Sequence, residues 1–285
     1  MLQSHYKIAG ISIRVDAPTE LSDNEGFSLY RVNPQPEDFF ISLIPDQDFA
    51  IPQFDGKPVF SDPMHLVLQG EGKCLHLFRI PSTRGVSAWN WLEPGNSLEI
   101  HYHPGAESYY LNSTGCFNCA GIERILFEGG KFLFHCSYVD DRGGGVLFSA
   151  PSGGGKTTQA TLWERYAGAT MVNGDRAVLE KTQDGYTVHG LPIAGSSGVF
   201  LNRSLPLKAI FIVKKAAENR AVRLSQQEAF QAVFSELTIN TWNHPFVLAA
   251  VDFAMNLAAK LPVFRLECRM DQGAVEAAKR ELEQL

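Results

Sequence analysis

Gly145-Val-Leu-Phe-Ser-Ala-Pro-Ser-Gly-Gly-Gly-Lys-Thr157 is the stretch whose reading decides the fold. Its first six residues form a short apolar run of the kind that makes a buried strand. The residues from Lys156 to Ala167 suit a helix, and Gly168 is a natural stop for it. Between strand and helix lie three consecutive glycines. A loop that wraps a phosphate needs small residues whose backbone N–H groups turn inward around the anion. It also needs a lysine to reach the β- and γ-phosphates, a hydroxyl for Mg²⁺, and a helix start aimed at the charge. Gly153, Gly154 and Gly155 meet the first need, Lys156 the second and Thr157 the third, with Ser152 and Thr158 flanking them. Ala150 stands where the G-x-x-x-x-G-K-[S/T] pattern has its first glycine, a small replacement that a turn accepts. A glycine-rich surface turn that happens to precede Lys-Thr is the plain alternative. The strand before and the helix after are the context that a phosphate loop requires.

Working outward, the next strand ends in Asn173-Gly-Asp175-Arg176. Ligands of α/β sheets collect at the carboxyl ends of strands. Asp175 is therefore expected beside the loop, where a carboxylate holds Mg²⁺ or accepts a proton; an ordinary Gly-Asp turn is the alternative. Arg176 and Arg203 are candidates for stabilising transferring phosphoryl charge. Gly195-Ser196-Ser197-Gly198 offers amides and hydroxyls to an anion, or is simply a turn. His135 precedes Lys156 by 21 residues on an apolar strand, where a histidine satisfied within the core is equally at home.

Residues 1–120 read as short β-branched and aromatic runs separated by Pro, Asp and Gly: residues 8–15, 39–44, 65–70 and 75–80. No helical period is apparent there, so a β-rich N-terminal domain over 1–120 is expected, ahead of a second domain over 121–285. Residues 123–139 read as two apolar runs around Gly129-Gly130, a hairpin pattern. Residues 177–191 form another, turning at Asp184-Gly185. Ser225 and Glu228 make a capping box for a helix. The helix after Pro245 carries Asp252, Asn256 and Lys260 on one narrow stripe, which predicts that most of its surface is buried. Asp271 is placed to cap the last helix. Strands alternating with helices after residue 140 predict an α/β core.

Charge and cysteine usage exclude several classes. Lys plus Arg is 25 against 31 Asp plus Glu, a net charge of −6, which opposes nucleic-acid binding. Residues 1–100 hold 7 basic and 13 acidic side chains, whereas the remainder is balanced at 18 of each, so the two parts differ in character. Five scattered cysteines make no disulfide framework, and neither a secretory leader nor a membrane span is visible, which together predict a cytoplasmic protein away from membranes. Cys116 and Cys119 have the spacing of half a zinc site, and His101 and His103 would share one face of a strand. Four ligands cannot be assembled from them without a guess.

The stretch from His135 to Arg176 resembles the catalytic domain of HPr kinase/phosphorylase. That family carries a His, a Val-Asp, a Gly-x-Gly, a strand, a Ser-Gly-x-Gly-Lys-Ser loop, a helix, a Gly and an Asp-Asp pair. This chain has His135, Val139-Asp140, Gly143-Gly-Gly145, Ser152-Gly-Gly-Gly-Lys156-Thr157, Gly168 and Gly174-Asp175, without a gap from His135 to the loop. The likeness runs from about residue 122, fades after 200, and is similar in looser form to the phosphoenolpyruvate carboxykinases. It implies a phosphate-loop kinase core with a mixed sheet. It also implies Mg·ATP as the bound nucleotide, and catalytic roles for Asp175, His135, Lys156 and Arg176. Thr157 and Asp175 would hold the metal, and Ser196, Ser197 and Arg203 would face the substrate. The chain departs from the pattern in two places. Gly174 stands where the family has its first aspartate, and the Glu-x-Arg-Gly run is absent, so HPr is not the expected substrate. The expected activity is transfer of the γ-phosphate to a hydroxyl, of a serine in a protein or peptide or of a small metabolite. The other reading is an ATP-binding sensor or an accessory protein of a biosynthetic cluster. A homo-oligomer is compatible with either.

Overall fold

The computed structural model describes residues 1–80 and 85–285, and the chain divides into two compact units, Met1–Gly129 and Gly130–Leu285. Each unit is built on a mixed sheet, so the fold is mixed α/β.

In the first unit β1 (Leu2–Ile8) and β2 (Ile11–Ala17) make a hairpin. Its turn is Ala9-Gly10, with φ of 49° and 84°. A two-residue turn with both φ positive matches the twist of the strands it joins. The run 8–15, read from sequence as one strand, therefore straddles a turn. Then follow β3 (Phe39–Pro45), β4 (Lys57–Ser61), β5 (His65–Gly70), β6 (Lys73–Phe78), β7 (Ala88–Trp91) and β8 (Ser97–Tyr102). They form one eight-stranded sheet in the order β1-β2-β3-β8-β7-β6-β5-β4. Tyr6, Phe27 and Phe117 pack edge-on and stacked in its core, with Tyr6 and Phe117 centroids 5.3 Å apart.

Helices do occur before residue 121, contrary to the sequence reading. They are α1 (Glu25–Ser28), α2 (Glu107–Tyr110) and α3 (Ser113–Ala120), and α4 (Ile122–Glu128) follows directly. Asn112 caps α3 by accepting from the Thr114 amide, and Gly121, at φ 74°, separates α3 from α4. The expected hairpin over 123–139 has a helix as its first arm. Ile122, Ile125 and Leu126 put their side chains on one buried face. A seven-residue apolar run is too short for periodicity to separate helix from strand. The division between units accordingly falls after Gly129.

The second unit begins with β9 (Lys131–His135), β10 (Ser137–Asp141) and β11 (Gly144–Ser149), followed by α5 (Lys156–Ala167). Gly168, at φ 67°, ends α5 as expected. Next come β12 (Thr170–Asn173), the hairpin β13 (Arg176–Thr182) with β14 (Gly185–His189), and β15 (Ser204–Lys215). The 12-residue β15 organises the sheet. Its first residues pair with β14, and its later ones run parallel to both β11 and β17 (Val263–Cys268), the latter edged by β16 (Arg220–Arg223). Phe148, Trp163, Phe211 and Phe264 fill one core with Ala274 and Val275 of α8 (Gln272–Leu282).

Ser225 and Glu228 form the expected capping box of α6 (Gln226–Glu236). In α7 (His244–Lys260) the buried residues are Phe246, Ala250, Phe253, Ala254 and Leu257. Leu248 and Met255 lie 53% and 50% exposed, so the expectation that most of this helix is buried is corrected. Seven residues apart, they share a face opposite the one that meets the sheet, which an apolar count does not reveal. Asp271 stands before α8 but makes no side-chain cap, because its carboxylate accepts from Asn219 Nδ2 at 2.8 Å. Among the described residues no helix is long and apolar enough to cross a membrane.

Candidate functional site

The glycine loop leaves the carboxyl end of β11 and enters α5. Gly153 and Gly155 have φ of 72° and 107°, a region closed to side chains at little cost only for glycine. A Cβ on Gly154 would stand 2.6 Å from Ala150 Cβ and 2.8 Å from the Pro151 carbonyl, so the loop closes tightly there. Lys156, first residue of α5, is buried and donates from Nζ to the Ala150 carbonyl at 2.9 Å. Thr157 Oγ1 donates to the Gly174 carbonyl at 3.2 Å, and Ser137 Oγ donates to the same oxygen at 3.0 Å. Ser152 and Thr158 are exposed.

The corner after β12 is built by Asn173, which is fully buried. Its Oδ1 accepts from the Asp175 and Arg176 amides at 2.9 and 3.0 Å. Its Nδ2 donates to the Leu191 and Ile193 carbonyls at 3.3 and 2.9 Å. One side chain thus aims Asp175 and ties the corner to the loop after β14. That loop lies against it. A Cβ on Gly195 would meet Asp175 Cβ at 2.7 Å, and one on Gly174 would meet Ser197 Cβ at 2.5 Å. The glycine at 174 is where Ser197 packs, which gives a steric reason for the missing carboxylate there.

His135 ends β9 opposite Arg176 of β13. It is not enclosed in the core: its side chain is 32% exposed. Nδ1 lies 2.9 Å from Glu236 Oε2 at the end of α6, and Nε2 lies 3.9 Å from Asp175 Oδ1. The His135 carbonyl accepts from Ser149 Oγ at 2.8 Å, and the Cys136 amide donates to the Asp175 carbonyl at 3.1 Å, so the strand end is fastened to the loop and the corner. Arg176 Nε is 3.3 Å from Asp175 Oδ2. Burial pushes the Cys136 thiol well up, with the Asp175 charge adding to it, so that sulfur stays protonated.

Lys156, Thr157, Asp175, His135 and Arg176 therefore share one end of the sheet with the loop carrying Ser196 and Ser197. Arg203 does not join them. Its guanidinium pairs with Asp140 at 2.6 Å, three residues along β10 from Ser137 and about 10 Å away by strand rise. Sequence reasoning missed Glu236, which ends an ordinary amphipathic helix and carries no local mark. Asn173 has no evident role in its motif by sequence, although an Asx side chain at a strand-to-turn junction is a usable signal.

In the first unit Cys116 and Cys119 are buried in α3, His101 stacks on Trp89 with centroids 4.0 Å apart, and His103 Nδ1 accepts from the Gly105 amide. Among the described residues no group of three or more His, Cys, Asp or Glu could hold a metal ion.

No curated protein matches the chain. Among solved structures, the chain is similar to the Hpr(Ser) kinase/phosphatase from Coxiella burnetii. The identity is 9% and the TM-score 0.30, over 53% of this chain and 98% of that one. The family model for SynChlorMet cassette protein ScmC matches residues 117–278, more than half of the chain. The chain belongs to the ScmC family.

Proposed function

We propose that the second unit binds Mg·ATP and transfers its γ-phosphate to a hydroxyl, on a serine of a protein or peptide or on a small metabolite. The observation that carries this reading is the convergence of the glycine loop, Lys156, Thr157 and Asp175 at one sheet end. Loop amides over Gly153–Gly155 would surround the phosphates, and Lys156 would exchange its Ala150 carbonyl for phosphate oxygens. The residues fit the metal: Thr157 Oγ1 and the partly exposed Asp175 carboxylate flank the Gly174 peptide and would hold Mg²⁺, which supplies charge neutralisation when bound. Arg176, beside Asp175, would contact the transferring group, and Ser196 would contact the acceptor. On this reading the arrangement would be of the HPr kinase and phosphoenolpyruvate carboxykinase type that the sequence resembles.

Ser197 packed against Gly174 favours a second reading, nucleotide binding without transfer, by an accessory protein of the cassette that the family description mentions. Thermal shift with Mg·ATP tests the first step. A ligand at 100 times its Kd stabilises the native state by about 2.7 kcal/mol. For a unit of this size that raises Tm by roughly 5–10 °C. The rise is expected for the wild type and not for Lys156→Ala; equal shifts would refute the loop assignment. Asp175→Asn should keep nucleotide affinity and lose ATP turnover. A wild type that binds tightly yet turns over neither ATP alone nor panels of peptides and metabolites would establish the second reading.

A further inference from the structure

We infer that Ser204, His189 and Glu180 form a second reactive site, in which Ser204 Oγ is a nucleophile that takes an acyl group from an activated ester. None of these side chains, nor Lys131 that joins them, serves in the phosphotransfer reading, so the two stand separately. They come from four neighbouring strands. Lys131 of β9 lies opposite Glu180 of β13, Val178 of β13 opposite His189 of β14, and His189 opposite Ser204 of β15. Residues directly opposite one another in antiparallel strands share a face, and so do residues two apart on one strand. All four therefore belong to one face of the sheet, with Glu180 diagonal to His189 and within reach of it. His189 Nε2 lies 2.9 Å from Glu180 Oε2, and His189 Nδ1 lies 2.7 Å from Ser204 Oγ. Glu180 Oε1 accepts from Lys131 Nζ.

The partners fix the protons. Burial works to raise the Glu180 carboxyl, but its bonds to Lys131 and His189 and their charges outweigh that and hold it below its ordinary value, so Glu180 is ionised at neutral pH. An ionised carboxylate only accepts hydrogen bonds, so Nε2 carries the proton between them. Burial lowers the His189 pKa, so the ring is neutral and Nδ1 holds a lone pair. Ser204 then donates its hydroxyl proton to Nδ1 and, being exposed, presents its own lone pairs at the surface. The imidazole, 7% exposed, is the base, and Glu180 with Lys131 are positioning residues that set its tautomer. A serine bonded to an imidazole that a carboxylate orients is the arrangement of acyl-transfer sites, here with the two ring nitrogens exchanged. In the reaction Oγ forms a bond to the acyl carbon, and its proton passes to Nδ1. The bond from that carbon to the leaving oxygen breaks, and the leaving group takes the proton from Nδ1. Water, giving its proton to the same nitrogen, then releases the acid and restores Ser204. A positioned base supplies about 10²- to 10⁴-fold. That help suits an ester with a good leaving group, such as an aryl ester, rather than an amide.

The test uses the full chain and p-nitrophenyl acetate, with the acetylated residues mapped by peptide mass spectrometry. Ser235 is the internal control: it is exposed too, but its hydroxyl donates to the Ala232 carbonyl rather than to a ring. In the wild type Ser204 should be acetylated at least about 100-fold faster than Ser235. Equal rates at the two serines would overturn the site outright, without any variant having to fold. Ser204→Ala, a change at an exposed residue, should abolish the burst of p-nitrophenolate; an unchanged burst would overturn the nucleophile. His189→Gln should bring Ser204 down to roughly the rate of Ser235, and fast labelling there would overturn the base. Glu180→Ala should slow Ser204 by about tenfold or more, and Glu180→Gln, whose amide oxygen still accepts from Nε2, should recover part of the loss. A rate in Glu180→Ala equal to that of the wild type would overturn the positioning role.

Discussion

Replacing Asn173 by Ala removes the side chain that defines the corner between β12 and β13. Four hydrogen bonds, from 2.9 to 3.3 Å, converge on a residue with no exposed surface. At a net ~1 kcal/mol each, their loss costs about 4 kcal/mol, and two amides and two carbonyls are left behind without that partner. Where water reaches those groups through the loop the cost falls, so about 2–4 kcal/mol is the expected range. Since 1.4 kcal/mol is a factor of ten, the amides of Asp175 and Arg176 should exchange about 30- to 1000-fold faster in Asn173→Ala. Asn173→Asp separates the two halves of the network. It keeps acceptors for the Asp175 and Arg176 amides but turns an oxygen toward the Leu191 and Ile193 carbonyls, so it should be no more stable than Ala. Urea titration with peptide-resolved hydrogen exchange is the assay, because it reads the second unit apart from the first. A loss below about 1 kcal/mol, with exchange at 175 and 176 unchanged, would refute the claim that Asn173 builds the corner.

Three further outcomes are expected. Gly174→Ala should destabilise the second unit by about 1–3 kcal/mol, because the new Cβ meets Ser197 Cβ at 2.5 Å. Ser197→Gly in the same chain should recover most of that in a denaturation double-mutant cycle. Gly155→Ala, which demands φ of 107° from a residue with a side chain and drives its Cβ into Met270 Cε, should abolish the Mg·ATP thermal shift. In the first unit, burial next to His65 lowers the pKa of His76 from 6.5 to about 3. The native state then binds fewer protons than the unfolded chain below pH 6.5, so stability is complete above that pH and falls steadily toward pH 3. About 2 kcal/mol should be lost between pH 8 and pH 5. His76→Gln should flatten this slope in hydrogen exchange of the first unit; an unchanged slope would assign it to other groups.

Several parts of the site could be read along the chain because the interactions that make them are local. The glycines at 153–155 and Lys156 sit between a strand and a helix within a few residues, and backbone sterics alone restrict what such a run can do. Ser225 and Glu228 cap α6, and Gly168 ends α5, by contacts within one turn. The rule that ligands lie at strand ends puts Asp175 beside the loop. The misreadings arise where local pattern is too short to decide. In α3 and α4 the apolar runs are so short that helix and strand carry the same local pattern, and long-range packing decides between them; between β1 and β2 the turn is only the two residues Ala9-Gly10, too short to interrupt the apolar pattern. Exposure of Leu248 and Met255 likewise depends on which face of α7 meets the sheet.

What only the tertiary structure decided is the pairing of groups distant in sequence. Glu236 reaches His135 across 101 residues, Ser197 fills the space beside Gly174, and Arg203 is drawn off to Asp140. Each is a contact of a few ångströms between elements whose approach follows from sheet order and helix packing. The chemistry each side chain offers was legible from its residue type. Which of them meet was set by the long-range burial of apolar surface along β11, β15 and β17 that brings those elements together.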